Sequence, residues 1–119
     1  MRYVLMIYVS EETTNALSPE DRQEWIQGYA EFHAAVNQQG KWDGGAPLQP
    51  IATSTTVQIR NDDTLITDGP FAETKEQLAG IYILNCENLD EAIDWAKKLP
   101  DAKYGSIEIR PAMDQSSYE

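Results

Sequence analysis

The chain is poor in the residues that build covalent and metal-centred chemistry: it holds one cysteine, Cys86, and one histidine, His33. A lone thiol closes no internal disulfide, which fits a reducing, cytoplasmic compartment. Cys86 sits in an apolar run with no activating base beside it and reads as a buried, inert thiol rather than a nucleophile. One His, one Cys and acids without ligand spacing give no zinc or iron constellation, and the scattered carboxylates offer at most a weak, hydrated magnesium or calcium ion. Neither a metal nor an organic cofactor is expected. Basic residues are scarce as well. Nine Lys and Arg against twenty Asp and Glu leave a formal charge of -11, which repels phosphate backbones and anionic lipid, so no nucleic acid and no membrane partner is expected. Long apolar runs are missing: Tyr3 to Val9 spans seven residues and leads straight into Ser10-Glu11-Glu12, too short for a signal peptide, and no stretch has the length of a bilayer span. No phosphate loop, dinucleotide fingerprint or serine-nucleophile motif occurs.

What is present is enough for one globular domain: 119 residues, 41% apolar and 24% charged. Arg2 to Val9 is apolar at nearly every position, as in a strand buried on both faces. Ser18-Pro19-Glu20-Asp21 supplies a cap, a first-turn proline and early acids. The helix that follows should run to about Gln39 and stop at Gly40, burying Trp25, Tyr29, Phe32 and Val36. Trp42 to Leu48 is a short strand that breaks into a loop. Thr55 to Arg60 and Thr64 to Thr67 flank Asn61-Asp62-Asp63 as a hairpin. Leu78 to Cys86 is a second two-sided apolar strand, and Asn88 with Glu91 starts a helix whose inner stripe is Leu89, Ala92, Ile93, Ala96 and Leu99, ended by Pro100. Tyr104 to Arg110 alternates as a strand, and the polar tail beyond Pro111 is expected to fray. This order predicts an α+β fold: a ferredoxin-like split βαβ sheet carrying an inserted β-hairpin. Its helices cover one face only. The other face is also apolar, and a second copy of the sheet is the economical cover, so a homodimer is expected.

The segment Thr67 to Leu78, TDGPFAETKEQL, resembles the signature of the DGPF, or YCII-related, family. The flanking RYVLMIY, GGAPLQP, NLDEAIDWAKKLP and GSIEIRP segments agree with it, so the resemblance covers Met1 to about Pro111, with residues 112–119 as a tail. It implies a dimeric α/β barrel, two ferredoxin-like sheets packed face to face. Activity in that family is largely unassigned. Some relatives are associated with extracytoplasmic-function sigma factors, which implies a regulatory alternative, and a few carry lyase or dehydrochlorinase chemistry for which a helix His and an Asp are proposed as a pair. His33 falls eleven residues before Gly44, later on its helix than that family histidine, so the pair is not carried over. Haem-dependent oxygenation, known among other dimeric α/β barrels, is disfavoured because His33 is the sole imidazole.

Candidate residues each carry a structural and a functional reading. Asp68-Gly69-Pro70-Phe71 is a turn and dimer contact, or, with Lys75, a ligand-binding loop at the end of a strand. His33 lies at the edge between core and solvent, as a structural side chain or an acid-base group; Asp68 and His33 are the catalytic candidates. Glu108 and Arg110 point away from Ile107 and Ile109, toward the dimer face, as an ion pair or as the lining of a cleft with Tyr8 and Tyr82 for walls. The leading expectation is a small homodimeric protein binding a small organic molecule near Asp68, Phe71, Lys75, Glu108 and Arg110. The alternative is a non-catalytic accessory partner of a sigma factor.

Overall fold

The computed structural model of the protein describes residues 1–114 and 116. In chain order its elements are β1 (Arg2–Val9), α1 (Glu11–Asn15), α2 (Pro19–Gln38), β2 (Trp42–Pro47), β3 (Thr55–Arg60), β4 (Asp63–Asp68), β5 (Gln77–Asn85), α3 (Leu89–Ala96), α4 (Asp101–Tyr104) and β6 (Ser106–Pro111). Of the tail expected to fray, residues 115 and 117–119 lie outside the described residues. Four strands form an antiparallel sheet in the order β2-β5-β1-β6. The crossover through α2 joins β1 to β2 with β5 between them, and the crossover through α3 and α4 joins β5 to β6 around β1. Two interleaved units of this kind make the ferredoxin-like plan that the element order implies.

Register decides which side chains face the helices. Tyr3, Leu5 and Ile7 of β1 stand opposite Leu84, Tyr82 and Gly80 of β5. This face packs on Phe32 and Val36 of α2 and on Ala92, Trp95, Ala96 and Leu99. Val4 and Met6 stand opposite Ile83 and Ile81, and Glu108 and Arg110 opposite Met6 and Val4, so both sets share the far face. At the outer strand, Gly45 has φ 134° and any β-carbon there would collide with the Ile81 carbonyl oxygen, so the β2–β5 pairing requires glycine.

Caps follow the sequence pattern. The Ser18 hydroxyl accepts from the Asp21 amide at 3.1 Å, and the Asn88 side-chain oxygen accepts from the Glu91 amide at 2.9 Å. The reciprocal half of the second cap differs from a capping box: Glu91 accepts from the Glu87 amide at 3.0 Å, one residue before the cap.

Four expectations are corrected. The helix after Asn88 ends at Ala96, and Pro100 leads a separate short helix, α4, so β6 starts at Ser106 and not at Tyr104. Proline lacks only its amide hydrogen, which a first turn does not need, so it starts a helix as readily as it ends one. Leu89 is 49% exposed because it occupies the solvent end of the first turn; Trp95, one turn beyond Ala92, takes the inner position instead. The hairpin turn is tighter than Asn61-Asp62-Asp63. Asn61 and Asp62 alone turn the chain with φ of 52° and 66°, a left-handed pair that short polar side chains tolerate, and Asp63 pairs with Arg60. Finally, Tyr82 cannot wall a cleft with Tyr8. Tyr82 pairs with Leu5 on the helix side, whereas Tyr8 pairs with Leu78 on the far side. Sequence patterning also carried no sign of α1, whose five residues hold no buried side chain.

The hairpin β3–β4 forms its own two-stranded sheet. Val57 and Ile66 face each other across it at 62% and 69% exposure, with Ile59 at 64% on the same side. The molecule is accordingly broad and thin, 47 × 44 × 18 Å, with a radius of gyration of 16.4 Å. A compact chain of this length has about 13.5 Å.

Candidate functional site

Trp25, Tyr29 and His33 recur at every fourth position of α2, which stacks them along one side of the helix. Phe32 and Val36 turn into the core and hold α2 on the sheet, so the column of three overhangs the β5 end of the structure. Beneath it lies a cavity of about 510 Å³. The volume is within the range of small-molecule sites, and its walls are mainly apolar with a few polar groups. Tyr82 forms the floor, and α1 with the Pro47–Pro50 segment forms the rim. The Leu48 amide donates to the Ala79 carbonyl at 2.8 Å, and the Ile51 amide donates to Glu11 at 2.7 Å, so the rim is pinned to strand and helix alike. Ile26 and Leu48 leave apolar surface at the mouth, 52% and 48% exposed.

Two polar pairs face this space. His33 Nε2 and the Tyr82 hydroxyl lie 3.2 Å apart, with the donor set by the imidazole tautomer. Trp42 flanks the same pair, its ring 5.4 Å from both the His33 and the Tyr82 ring. In the second pair, Asp101 is 3% exposed and accepts from Trp25 Nε1 at 3.0 Å and from the Tyr29 hydroxyl at 2.5 Å. Burial, then the hydrogen bond to Asp101 and the charge of that carboxylate, push the Tyr29 hydroxyl well above the ordinary tyrosine value. Burial and then the Asp101 charge push Tyr82 up as well. Both phenols therefore stay neutral and remain donors at neutral pH. Local geometry explains how Asp101 arrives there: it is the first residue of α4, set by Pro100, and Pro100 packs so closely on α2 that a β-carbon at Gly28 would lie 2.6 Å from its ring.

The structure distributes the sequence-predicted residues over three places. His33 lines the cavity; Asp68, Phe71, Lys75, Glu108 and Arg110 do not. Asp68 borders a second, more open depression with Gly69, Pro70, Glu73 and Thr74. Phe71 is 84% exposed, and Lys75 is exposed in the same connection. Gln77 touches both depressions and fixes the loop by donating to the Ala72 and Thr74 carbonyls at 3.3 and 2.9 Å. Glu108 and Arg110 pair with each other at 3.0 Å on the far face, largely in solvent. Cys86 is buried, and burial followed by the nearby Glu91 pushes its thiol up, away from the reactive thiolate. Among the described residues no group of three or more His, Cys, Asp or Glu is arranged to hold a metal ion, and no helix is long and apolar enough to cross a membrane.

Sequence reasoning did not connect Tyr29, Tyr82 and Asp101. The signal was partial: a column of Trp, Tyr and His at steps of four is unusual in carrying a polar tip at each position. Asp101, by contrast, meets Tyr29 across 72 residues, a contact that no local pattern encodes.

The family model described as the YCII-related domain matches residues 1–116. An uncharacterized protein of Rhizobium meliloti (strain 1021), R00369, is 37% identical over 113 residues, spanning 93% of this chain and 91% of that one. Among solved structures, the chain is similar to the 5-chloro-2-hydroxyhydroquinone dehydrochlorinase TftG of Burkholderia phenoliruptrix AC1100, solved in complex with 2,5-dihydroxybenzoquinone. The TM-score is 0.51 at 16% identity, with 98% of each chain covered, a likeness of fold.

Proposed function

Since the chain belongs to the YCII-related domain family, we propose that it binds a small organic molecule in the cavity between α2 and β5. The observation that carries this reading is the coincidence of the more enclosed, mostly apolar cavity with two inward polar pairs, His33–Tyr82 and Tyr29–Asp101. TftG, a dehydrochlorinase of similar fold in complex with 2,5-dihydroxybenzoquinone, supports it. His33 presents an imidazole to the cavity and Tyr82 orients it, so modest acid-base chemistry on the bound molecule is part of the proposal. The test is a thermal-shift screen of small cyclic and aliphatic metabolites. A compound that raises the midpoint of the wild type should do so less for His33→Ala and Tyr82→Phe, and unchanged for Asp68→Ala. Equal shifts in the wild type, His33→Ala and Tyr82→Phe would overturn the assignment to this cavity.

The proposal includes a homodimer. Its support is the far face of the sheet, where Val4, Met6, Ile81 and Ile83 lie on the side away from the helices, together with the exposed apolar face of the hairpin. Under this reading Asp68, Phe71 and Lys75 contact the second copy or shape the turn, and Glu108–Arg110 is an ion pair at or beside that contact.

A further inference from the structure

Resting on the reading of the α2–β5 cavity as the ligand site, we infer that its ligand is an organic cation: a protonated amine or quaternary ammonium on a ring or short apolar body. Glu11 and Asp101 line the cavity, and no lysine or arginine does. The guanidinium of Arg22 donates to the carbonyl of the lining residue Thr14 at 2.9 Å, and Arg22 itself is not among the lining residues. An anionic ligand would meet two carboxylates and no lysine or arginine in the lining, at the surface of a chain whose formal charge is -11.

Asp101 adds the sharper constraint. It is 3% exposed, and its partners are an indole and a phenol, both neutral. None of the ion pairs among the described residues includes it. A buried carboxylate is costly to hold without a cation, yet here two neutral donors occupy one lone pair on each oxygen and leave the others open. A bound ammonium supplies the missing positive charge.

The walls favour the same class. The Trp25 and Tyr29 rings meet edge to face at 5.5 Å between centroids, and Tyr29 continues to Tyr82 at 6.5 Å. Aromatic faces attract cations placed within about 6 Å of the ring centre, most strongly on indole and in sites shielded from water. Three such rings and two carboxylates, with no lysine or arginine beside them, form a receptor for a positive, partly apolar guest.

Three probes of one shape separate charge from fit: phenethylamine, phenethyl alcohol and phenylacetate. Each is titrated into the full-length protein while the Trp25 indole resonance is followed. Phenethylamine should bind about tenfold more tightly than the alcohol, and phenylacetate least. Glu11→Gln, which keeps the oxygen that the Ile51 amide needs, should cut that preference to about a third, and added salt should narrow it further in the wild type. Asp101→Asn, where it folds, should bring amine and alcohol to within about twofold of each other. If the alcohol or phenylacetate moves the Trp25 resonance at least as tightly as the amine, the charge assignment falls while the cavity stands as a binding site. If none of the three moves it, both fall.

Discussion

Replacing Tyr29 by Phe removes a single hydroxyl from the cavity and leaves Asp101 with only the Trp25 indole as donor. Hydrogen bonds to a charged acceptor contribute about 1.5–3 kcal/mol, and Tyr29→Phe should lower stability by that order in a urea titration. A change under a few tenths of a kcal/mol would mean that the hydroxyl is as well served by water. The same group sets an alkaline limit. Folding raises the Tyr29 and Tyr82 hydroxyls above the ordinary value of 10.0, so their contribution is whole below that value and is lost as pH rises through it, because the unfolded chain ionises first. Stability measured against pH should fall on that side, and less steeply in Tyr29→Phe. At this scale the sequence was readable only in part. His33 could be placed at the edge of the core from its angle on the helix, since that angle depends on nothing but 3.6-residue periodicity. Tyr82 was expected beside Tyr8 and lies on the opposite face, because a strand apolar on both sides offers no contrast between them.

The helices rest on caps that the sequence spelled out. Ser18→Ala and Asn88→Ala should each cost about 1 kcal/mol in thermal or urea unfolding, with both variants retaining the native fold. Glu91 ties α3 to its surroundings, accepting from the Glu87 amide, the Trp95 indole and Lys41. The Glu87 amide first, and Trp95 and Lys41 after it, hold the carboxyl below its ordinary value of 4.5. Its contribution is therefore present above 4.5 and is lost as pH falls through the depressed value. Glu91→Gln should flatten the acid limb of the stability profile, and an unchanged limb would contradict that role. Gly28→Ala would drive a methyl into Pro100 and move Asp101 away from Tyr29. Overpacking of this kind costs about 1–3 kcal/mol, and ligand affinity should drop with it. Elements with strong periodicity or a cap, such as β1, α2 and β5, were legible in the sequence. α1 and α4 were not: they are four or five residues long, and their formation depends on what they pack against.

For the whole molecule, the order of strands and helices sufficed for the ferredoxin-like plan, because few connections satisfy two crossovers on one antiparallel sheet. Position of the site did not follow from that plan, since the cavity exists only where α2, α4 and the rim converge. The breadth of the chain and its exposed hairpin support a second copy against the far face. Sedimentation at micromolar concentration should give a dimer, and Met6→Asp, placed in the middle of that face, should give a folded monomer. A monomeric wild type would remove the dimer and leave the cavity untouched. The cavity itself is tested by a crystal structure of the protein soaked with the compound that gives the largest thermal shift. Density for that compound should lie between α2 and β5, against Tyr29, His33 and Tyr82. Density beside Asp68 and Lys75, or over Glu108 and Arg110, would contradict the assignment.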